Sequence, residues 1–177
     1  MKTRDLTLIA VFAAVITVCA WISIPAAVPF TLQTLGIFLA VGLLGGRRGT
    51  ISAAVYLLLG AVGAPVFSGF NGGIGYLLGA TGGYLLGFLA MAAVMWGLTA
   101  ALGDGPPAMA LAMVLGLLAC YALGTAWFMA VYTRTRGAIS LLSVLSSCVF
   151  PFLLPDLLKL GLALLLIRRL KGLVPAA

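Results

Sequence analysis

The sequence predicts an all-α membrane protein with six transmembrane helices in one domain that covers residues 1–177. Of the 177 residues, 64% are hydrophobic and 7% are charged, whereas soluble domains contain roughly 25% charged residues. A helix needs about 20 apolar residues to cross the hydrocarbon core, so this chain has room for roughly five to seven spans. The composition therefore excludes an ordinary water-soluble fold.

The placement of the charges predicts the topology. Ten Lys and Arg residues against three acidic residues give a net charge of +7, which in a soluble protein would suggest a nucleic-acid partner. Here most basic residues flank apolar segments, as the positive-inside rule requires of cytoplasmic ends: Lys2, Arg4, Arg47, Arg48, Arg168, Arg169 and Lys171. We predict cytoplasmic termini and no nucleic-acid partner, although Arg134 and Arg136 then fall outside, against the rule.

The amino-terminal half is predicted to contain three helices. The first runs over Leu6–Ile24 and is interpreted as a membrane helix, because no clean signal-peptidase site follows it. Two prolines then predict a loop over Pro25–Gln33. The second helix, Leu35–Leu44, is short for a full span, so part of this loop is expected to enter the membrane zone, shielded by protein. The third helix covers Thr50–Gly63.

The second half begins with a glycine-rich outer connection over residues 68–75. A fourth helix is predicted over Tyr76–Leu102, with glycines at four-residue intervals that favour close helix packing: Gly75, Gly79, Gly83 and Gly87. A fifth helix covers Ala108–Tyr132. Next comes a short outer or re-entrant helix over Ile139–Val149, and the last span is predicted over Pro155–Leu170, with its proline in the first turn.

Asp156 and Lys159 are the ionisable residues that this topology places within the apolar zone. Each such charge costs about 2.5 to 3.5 kcal/mol on insertion scales, so it needs a compensating role. At i and i+3 the two side chains share one helix face, and Asp156 is predicted in the first turn, where the helix dipole favours it. Twelve residues at about 1.5 Å each separate Asp156 from Arg168, which places the pair in the outer half. A structural ion pair remains an alternative to a binding site.

The irregular outer segments add amide and aromatic groups on the same side of the membrane. Gln33 and Asn71 supply amides, and several aromatic residues, each also compatible with a core position, surround them: Phe30, Phe67, Phe70, Tyr76 and Tyr84. An apolar wall with a few polar groups fits a small amphiphilic organic ligand better than a bare ion.

Three segments together resemble the BioY family of biotin-binding S components of energy-coupling factor (ECF) transporters. They are Val28-Pro-Phe-Thr-Leu-Gln-Thr-Leu35, Gly69-Phe-Asn-Gly-Gly-Ile-Gly75 and Pro151-Phe-Leu-Leu-Pro-Asp-Leu-Leu-Lys159. The resemblance implies an S-component-like bundle of six helices with an outward-facing biotin site closed by the first loop. It also implies uptake across the bacterial cytoplasmic membrane after docking onto a transmembrane T subunit driven by two cytoplasmic ATPase subunits.

The resemblance further implies roles for individual residues. Asn71, Asp156 and Lys159 become the polar contacts of biotin, and Lys159 either neutralises Asp156 or receives the biotin carboxylate. Neighbouring positions complete the expected site: Gln33, Tyr76, Gly72 and Gly73, with Phe30, Phe70 and Tyr84 as aromatic walls. On the first helix, Ala10 and Ala14 are expected either to contact the T subunit or to pack within the domain.

Other functions lack the residues that they need. The chain has no His, and Cys19, Cys120 and Cys148 show no metal-ligand or disulfide spacing, so we expect no enzyme activity and no cofactor, with biotin as the transported ligand. No nucleotide-binding Gly-rich loop occurs, so ATP hydrolysis would come from partners. An S component for another vitamin, a biotin transporter that works alone, and a small channel remain as alternatives.

Overall fold

The computed structural model describes residues 2–25 and 28–172 and is predominantly helical. Its helices are α1 (Thr3–Trp21), α2 (Gln33–Leu44), α3 (Gly46–Ala61), α4 (Ile74–Leu77), α5 (Gly82–Leu102), α6 (Pro106–Arg136), α7 (Leu141–Cys148) and α8 (Phe150–Leu170). Strands β1 (Ser23–Ile24) and β2 (Phe30–Thr31) pair antiparallel, and a 3-10 turn covers Ser68–Phe70. Among the described residues, four helices are long and apolar enough to cross a membrane, namely α1, α5, α6 and α8.

Helix α2 is the central helix of the bundle. It packs against α1, α3, α5 and α8, and most of its side chains are buried, including Ile37, Phe38 and Val41. Gly36 lets it approach α1 closely, because a Cβ there would lie 3.2 Å from the Ile16 Cα. The polar residues at the amino-terminal end of α2, beginning with Gln33, therefore lie in the protein interior.

The predicted fourth helix, Tyr76–Leu102, is wrong as a continuous element. The chain forms the single turn α4, leaves helical geometry around Gly79, and resumes as α5 at Gly82. Glycine favours such a break because it weakens a helix interior, and the Trp127 indole Nε1 donates a 3.0 Å hydrogen bond to the Gly79 carbonyl. Of the predicted glycine ladder, Gly83 and Gly87 do pack closely against α6.

The final helix also begins earlier than predicted. Helix α8 starts at Phe150, with Pro151 in its first turn and Pro155 inside the helix. A proline at the first turn leaves no backbone donor unpaired, and membrane helices tolerate an interior proline. Asp156 consequently lies in the second turn, so the predicted stabilisation by the amino-terminal helix dipole does not apply. Its charge is compensated by side chains instead.

Helix α6 is longer than predicted and ends at Arg136 rather than Tyr132. Arg134 and Arg136 therefore lie in its last turn, where cations interact favourably with the carboxyl-terminal helix dipole. The Arg136 guanidinium lies over the Tyr132 ring, 6.0 Å from its centroid. These interactions explain why two arginines occur at this end of α6, which the predicted topology did not explain.

The predicted loop over Pro25–Gln33 is partly ordered into regular structure, and its residues 26 and 27 lie outside the described residues. Phe30 and Thr31 form β2, and α2 begins already at Gln33. The Leu32 amide donates to the Cys19 carbonyl at 3.1 Å, which holds this segment against the end of α1. Leu32, the one residue between β2 and α2, is half-buried, and the entry of this loop into the membrane zone stays a prediction.

Candidate ligand-binding site

The site is built around a buried ion pair on α8. Asp156 is 2% exposed and Lys159 is 7% exposed, and the Lys159 Nζ lies 2.8 Å from Asp156 Oδ1. Oδ1 also accepts a 2.9 Å hydrogen bond from Thr34 Oγ1, and Oδ2 accepts one of 2.6 Å from the Tyr121 hydroxyl. The carboxylate is therefore held by groups from α2, α6 and α8, which offsets the cost of burying its charge.

Lys159 connects this pair to the first loop. Its Nζ donates a 2.6 Å hydrogen bond to the Thr31 carbonyl in β2 and lies 4.5 Å from the centroid of the Phe30 ring. The Phe30 ring in turn stacks on Phe152 with centroids 5.5 Å apart. The ammonium is thus surrounded by a carboxylate, a carbonyl and an aromatic face, each of which favours the positive charge.

A second polar chain runs from the first loop to α3. Thr31 Oγ1 donates to Gln33 Oε1 at 2.7 Å, and Gln33 Nε2 donates to the Tyr56 hydroxyl at 2.6 Å. The Tyr56 ring meets Phe67 edge-on, and Phe67 stacks on Tyr76. The buried polar groups of α2 are therefore hydrogen-bonded, as burial requires.

Two adjoining voids form a cavity beside these chains. Each has a volume of about 50 Å³, smaller than the roughly 300 to 1,000 Å³ of small-molecule sites, so a ligand would need the side chains of the wall to move apart. Both are lined by Val28, Pro29, Thr31, Tyr84 and Phe88. The first lobe adds Gln33, Ser68, Tyr76, Thr81 and Leu85. The second lobe adds Thr34, Cys120, Tyr121, Cys148, Phe152, Asp156 and Lys159.

The structure brings together half of the ten predicted binding residues in the cavity wall. Gln33 and Tyr76 line the first lobe, Asp156 and Lys159 line the second, and Tyr84 lines both. The lobe with Gln33 and Tyr76 and the lobe with Asp156 and Lys159 therefore adjoin each other, and residues of the first loop and of α5 line both.

The predicted residues of the glycine loop lie beside the cavity rather than in its lining. Asn71 is exposed, and its Nδ2 donates a 2.7 Å hydrogen bond to the carbonyl of Ser68, which does line the first lobe. Gly72 and Gly73 follow it, and the Gly73 amide donates to the Gly60 carbonyl at 2.7 Å. Phe70 is 63% exposed.

Aromatic contacts place Phe70 and Phe30 around the rim of the site. The Phe70 ring packs against Trp21, with centroids 5.0 Å apart, at the end of α1. The Phe30 ring lies against Lys159 and Phe152, two residues of the second lobe. Both rings therefore belong to the segments that border the cavity.

The predicted contact residues Ala10 and Ala14 lie on the exposed side of α1. They continue a row of exposed residues at four-residue spacing that also includes Leu6 and Val18. The opposite side of α1 is buried. The packing alternative therefore does not describe Ala10 and Ala14, whose side of the helix is open to lipid or to a partner.

Sequence reasoning missed several residues of the second lobe. Thr34 and Phe152 lie inside two of the segments that resemble the BioY family, so this resemblance could have indicated them as site residues. Tyr121 and Cys120 lie in the middle of the long apolar helix α6, where periodicity does not distinguish a cavity residue from a core residue. Only the packing of α6 against α8 shows that Tyr121 reaches Asp156.

Fold and site together define a multi-pass helical membrane protein with a cavity whose wall combines apolar side chains with a few polar groups. A sequence model described as the BioY family matches residues 1–176. The chain belongs to the BioY family.

Several similar proteins match nearly the whole chain. It is 44% identical to the biotin transporter BioY of Thermotoga maritima, with 96% of this chain and 97% of that protein covered. It is 38% identical to a probable biotin transporter BioY of Pyrococcus horikoshii, with 97% and 99% covered. The fold is similar to a crystal structure of the S-component for biotin from an ECF-type ABC transporter, with a TM-score of 0.83, 30% identity, and 97% of this chain and 95% of that chain covered.

Proposed function

We propose that this protein captures biotin with high affinity and mediates its uptake as the substrate-specific S component of an ECF-type importer. The observation that carries the proposal is the cavity wall, where a buried Asp156–Lys159 pair lies among apolar and aromatic side chains. A buried ion pair is costly in hydrocarbon, and here both of its side chains line the second lobe, where a ligand would meet them. We propose biotin as the ligand because the relatives are named biotin transporters.

Biotin has groups that match those of the cavity. Its ureido ring presents two N–H donors and one carbonyl acceptor, so Asp156 is a suitable acceptor for an N–H. The amide of Gln33 and the hydroxyls of Ser68 and Tyr76 offer polar contacts in the first lobe. The thiophane ring and the valeryl chain would lie against Phe88, Tyr84 and Phe152.

Asn71, Gly72 and Gly73 contribute to the same site in our proposal. The Asn71 amide bonds to the carbonyl of Ser68, a cavity residue. A rotation of the Asn71 side chain would therefore bring its amide to the ligand. Gly72 packs closely against the Ala64 carbonyl, and a side chain there would push the loop away. The glycine loop is therefore a second wall that can adjust to biotin.

Six transmembrane helices with cytoplasmic termini complete the proposal. The four long apolar helices leave α2 and α3 as the remaining two spans, and α2, although only 12 residues long, is surrounded by protein. Arg47 and Arg48 at the start of α3 and the basic carboxyl-terminal end of α8 would mark the cytoplasmic side. The protein would then reside in the bacterial cytoplasmic membrane.

The T subunit and two cytoplasmic ATPase subunits are the proposed partners, because no nucleotide-binding motif occurs in the sequence. The exposed side of α1 with Ala10 and Ala14 is the proposed contact for the T subunit. Small residues on an exposed helix side permit close approach of a second helix.

Isothermal titration of biotin into the purified protein, with thiamine and riboflavin as competitors, tests the ligand. We expect saturable biotin binding that neither competitor displaces, and displacement by another vitamin would contradict the assignment. Co-purification with the ATPase module tests the partners. Uptake of biotin by vesicles that contain this protein alone would instead support a transporter that works without the module.

A further inference from the structure

The hydrogen-bonding capacity of Asp156 is nearly used up within the protein. A carboxylate offers about four acceptor positions, two on each oxygen. Oδ1 accepts from Thr34 at 2.9 Å and from Lys159 at 2.8 Å, and Oδ2 accepts from the Tyr121 hydroxyl at 2.6 Å. Counting these described partners, one acceptor position is left, and it lies on Oδ2 beside the Tyr121 hydroxyl.

Lys159 has similarly little capacity to spare. Its ammonium has three N–H donors, of which one bonds to Asp156 and one to the Thr31 carbonyl. The Phe30 ring lies 4.5 Å from the same Nζ. One N–H donor is left, so Lys159 fixes Asp156 and the first loop and offers at most one further hydrogen bond to a ligand.

Tyr121 occupies a position from which it controls the remaining acceptor site. It projects from α6 into the second lobe, whereas Asp156 projects from α8. Its hydroxyl occupies one acceptor position of Oδ2, which orients the carboxylate and leaves one position on this oxygen for a further donor. A hydrogen bond to an ionised group contributes more than one between neutral groups, so this contact is strong enough to fix the carboxylate.

We propose that Tyr121 is a specificity-determining residue: it restricts Asp156 to one further donor, so the second lobe selects a ligand that presents a single N–H, as one edge of a cyclic urea does. This inference rests on the proposed biotin function. It also assigns to Lys159 the role of neutralising and positioning Asp156.

Two biotin analogues, each methylated on a different ureido nitrogen, test the inference in the unmodified protein. A methyl group removes one N–H and leaves the other. Because one N–H alone meets Oδ2, we expect one analogue to bind at least tenfold more weakly than the other in calorimetric titration. Equal affinities of the two analogues would overturn the inference.

The Tyr121→Phe variant tests the residue itself, and Tyr132→Phe on the same helix is the matched control, because Tyr132 is absent from the residues that line either lobe. We expect Tyr121→Phe to bind biotin about 10- to 100-fold more weakly. The difference between the two methylated analogues should shrink at the same time, which a merely structural role would not produce. Tyr132→Phe should leave both unchanged.

The outcomes separate the two proposals. If the unmodified protein does not bind biotin, the proposed function fails. If it binds biotin, and Tyr121→Phe retains both the affinity and the difference between the analogues, the inference about Tyr121 fails and the function stands. Should Tyr121→Phe not fold, the comparison of the two analogues in the unmodified protein still decides the inference.

Discussion

The Lys159 Nζ lies 2.6 Å from the Thr31 carbonyl oxygen, a contact that joins the last helix to the strand before α2. The same ammonium pairs with Asp156. One side chain therefore links the first loop, the buried carboxylate and the cavity wall. The position of the loop and the state of the ion pair consequently depend on each other.

Removing either charge of the pair should abolish high-affinity biotin binding. Asp156→Asn removes the negative acceptor, and Lys159→Ala removes both the counter-charge and the bond to Thr31. Breaking a buried pair costs roughly 3 to 5 kcal/mol of stability, so we expect inserted but less thermostable proteins. Calorimetric titration with biotin measures the effect.

Lys171→Ala is the control for these two variants, because its ion pair with Asp104 is exposed and exposed pairs contribute little. Its biotin affinity and thermal midpoint should match those of the unmodified protein. A loss of thermal stability in Asp156→Asn or Lys159→Ala with unchanged affinity would support the structural ion pair instead of the binding role.

Thr34→Val should weaken biotin binding through its effect on Asp156. The substitution keeps the side-chain shape and removes the 2.9 Å hydrogen bond to Oδ1. Bonds to charged groups contribute about 1.5 to 3 kcal/mol, which corresponds to an affinity loss of roughly tenfold or more if the carboxylate loses its orientation. Thr17→Val is the matched control, because within the described part of the chain the Thr17 hydroxyl bonds to the Ala13 carbonyl of its own helix and to no other group. Equal affinities of the two variants would argue against this role.

Gly124→Ala should displace Tyr84 from the cavity wall. A Cβ at this position would overlap the Tyr84 ring, and overpacking of this kind costs about 1 to 3 kcal/mol. We expect a lower thermal midpoint in detergent and weaker biotin binding.

Gly97→Ala provides the comparison for Gly124→Ala. It makes the same change in a helix interior where a Cβ would meet open space, so higher helix propensity should leave it equally or more stable. If both variants unfold at the same temperature, Gly124 is not needed for the close approach of α5 and α6.

Ala14→Trp should separate ligand capture from partner docking. Ala14 lies on the exposed side of α1, away from the residues that line the cavity. A bulky ring there would block a close-packed neighbouring helix, so we expect normal biotin affinity and loss of co-purification with the T subunit. Ala126→Trp, on the exposed side of α6, should retain both. Intact assembly with Ala14→Trp would place the docking side elsewhere.

The long helices and the ion pair could be predicted from the sequence, because their signals are local. Apolar length defines α1, α5 and α6, and a carboxylate and an amine at i and i+3 in an apolar segment indicate a shared buried face. The boundaries were less accurate where prolines and glycines occur. Pro155 is compatible with two structures, one in which it starts the helix and one in which it lies inside the helix. The packing of neighbouring helices determines which of the two forms.

The far partners of the pair could not be predicted, because they depend on tertiary packing. Thr34 is 122 residues and Tyr121 is 35 residues from Asp156 in sequence. A threonine at a helix start and a tyrosine in an apolar helix have many ordinary uses, so neither pattern indicates a bond to a distant carboxylate. The exposed position of Asn71 likewise follows from its local bond to Ser68.

The bond network around Asp156 has a consequence for biosynthesis. Outside α8, Asp156 bonds to groups of α2 and α6 and Lys159 bonds to β2, and all three elements precede α8 in the chain. Since chains are generally made and folded from the amino terminus, the helix that carries the buried ion pair is made after the segments whose groups bond to it. Loss of those earlier groups should therefore appear first as poor insertion of α8 during synthesis.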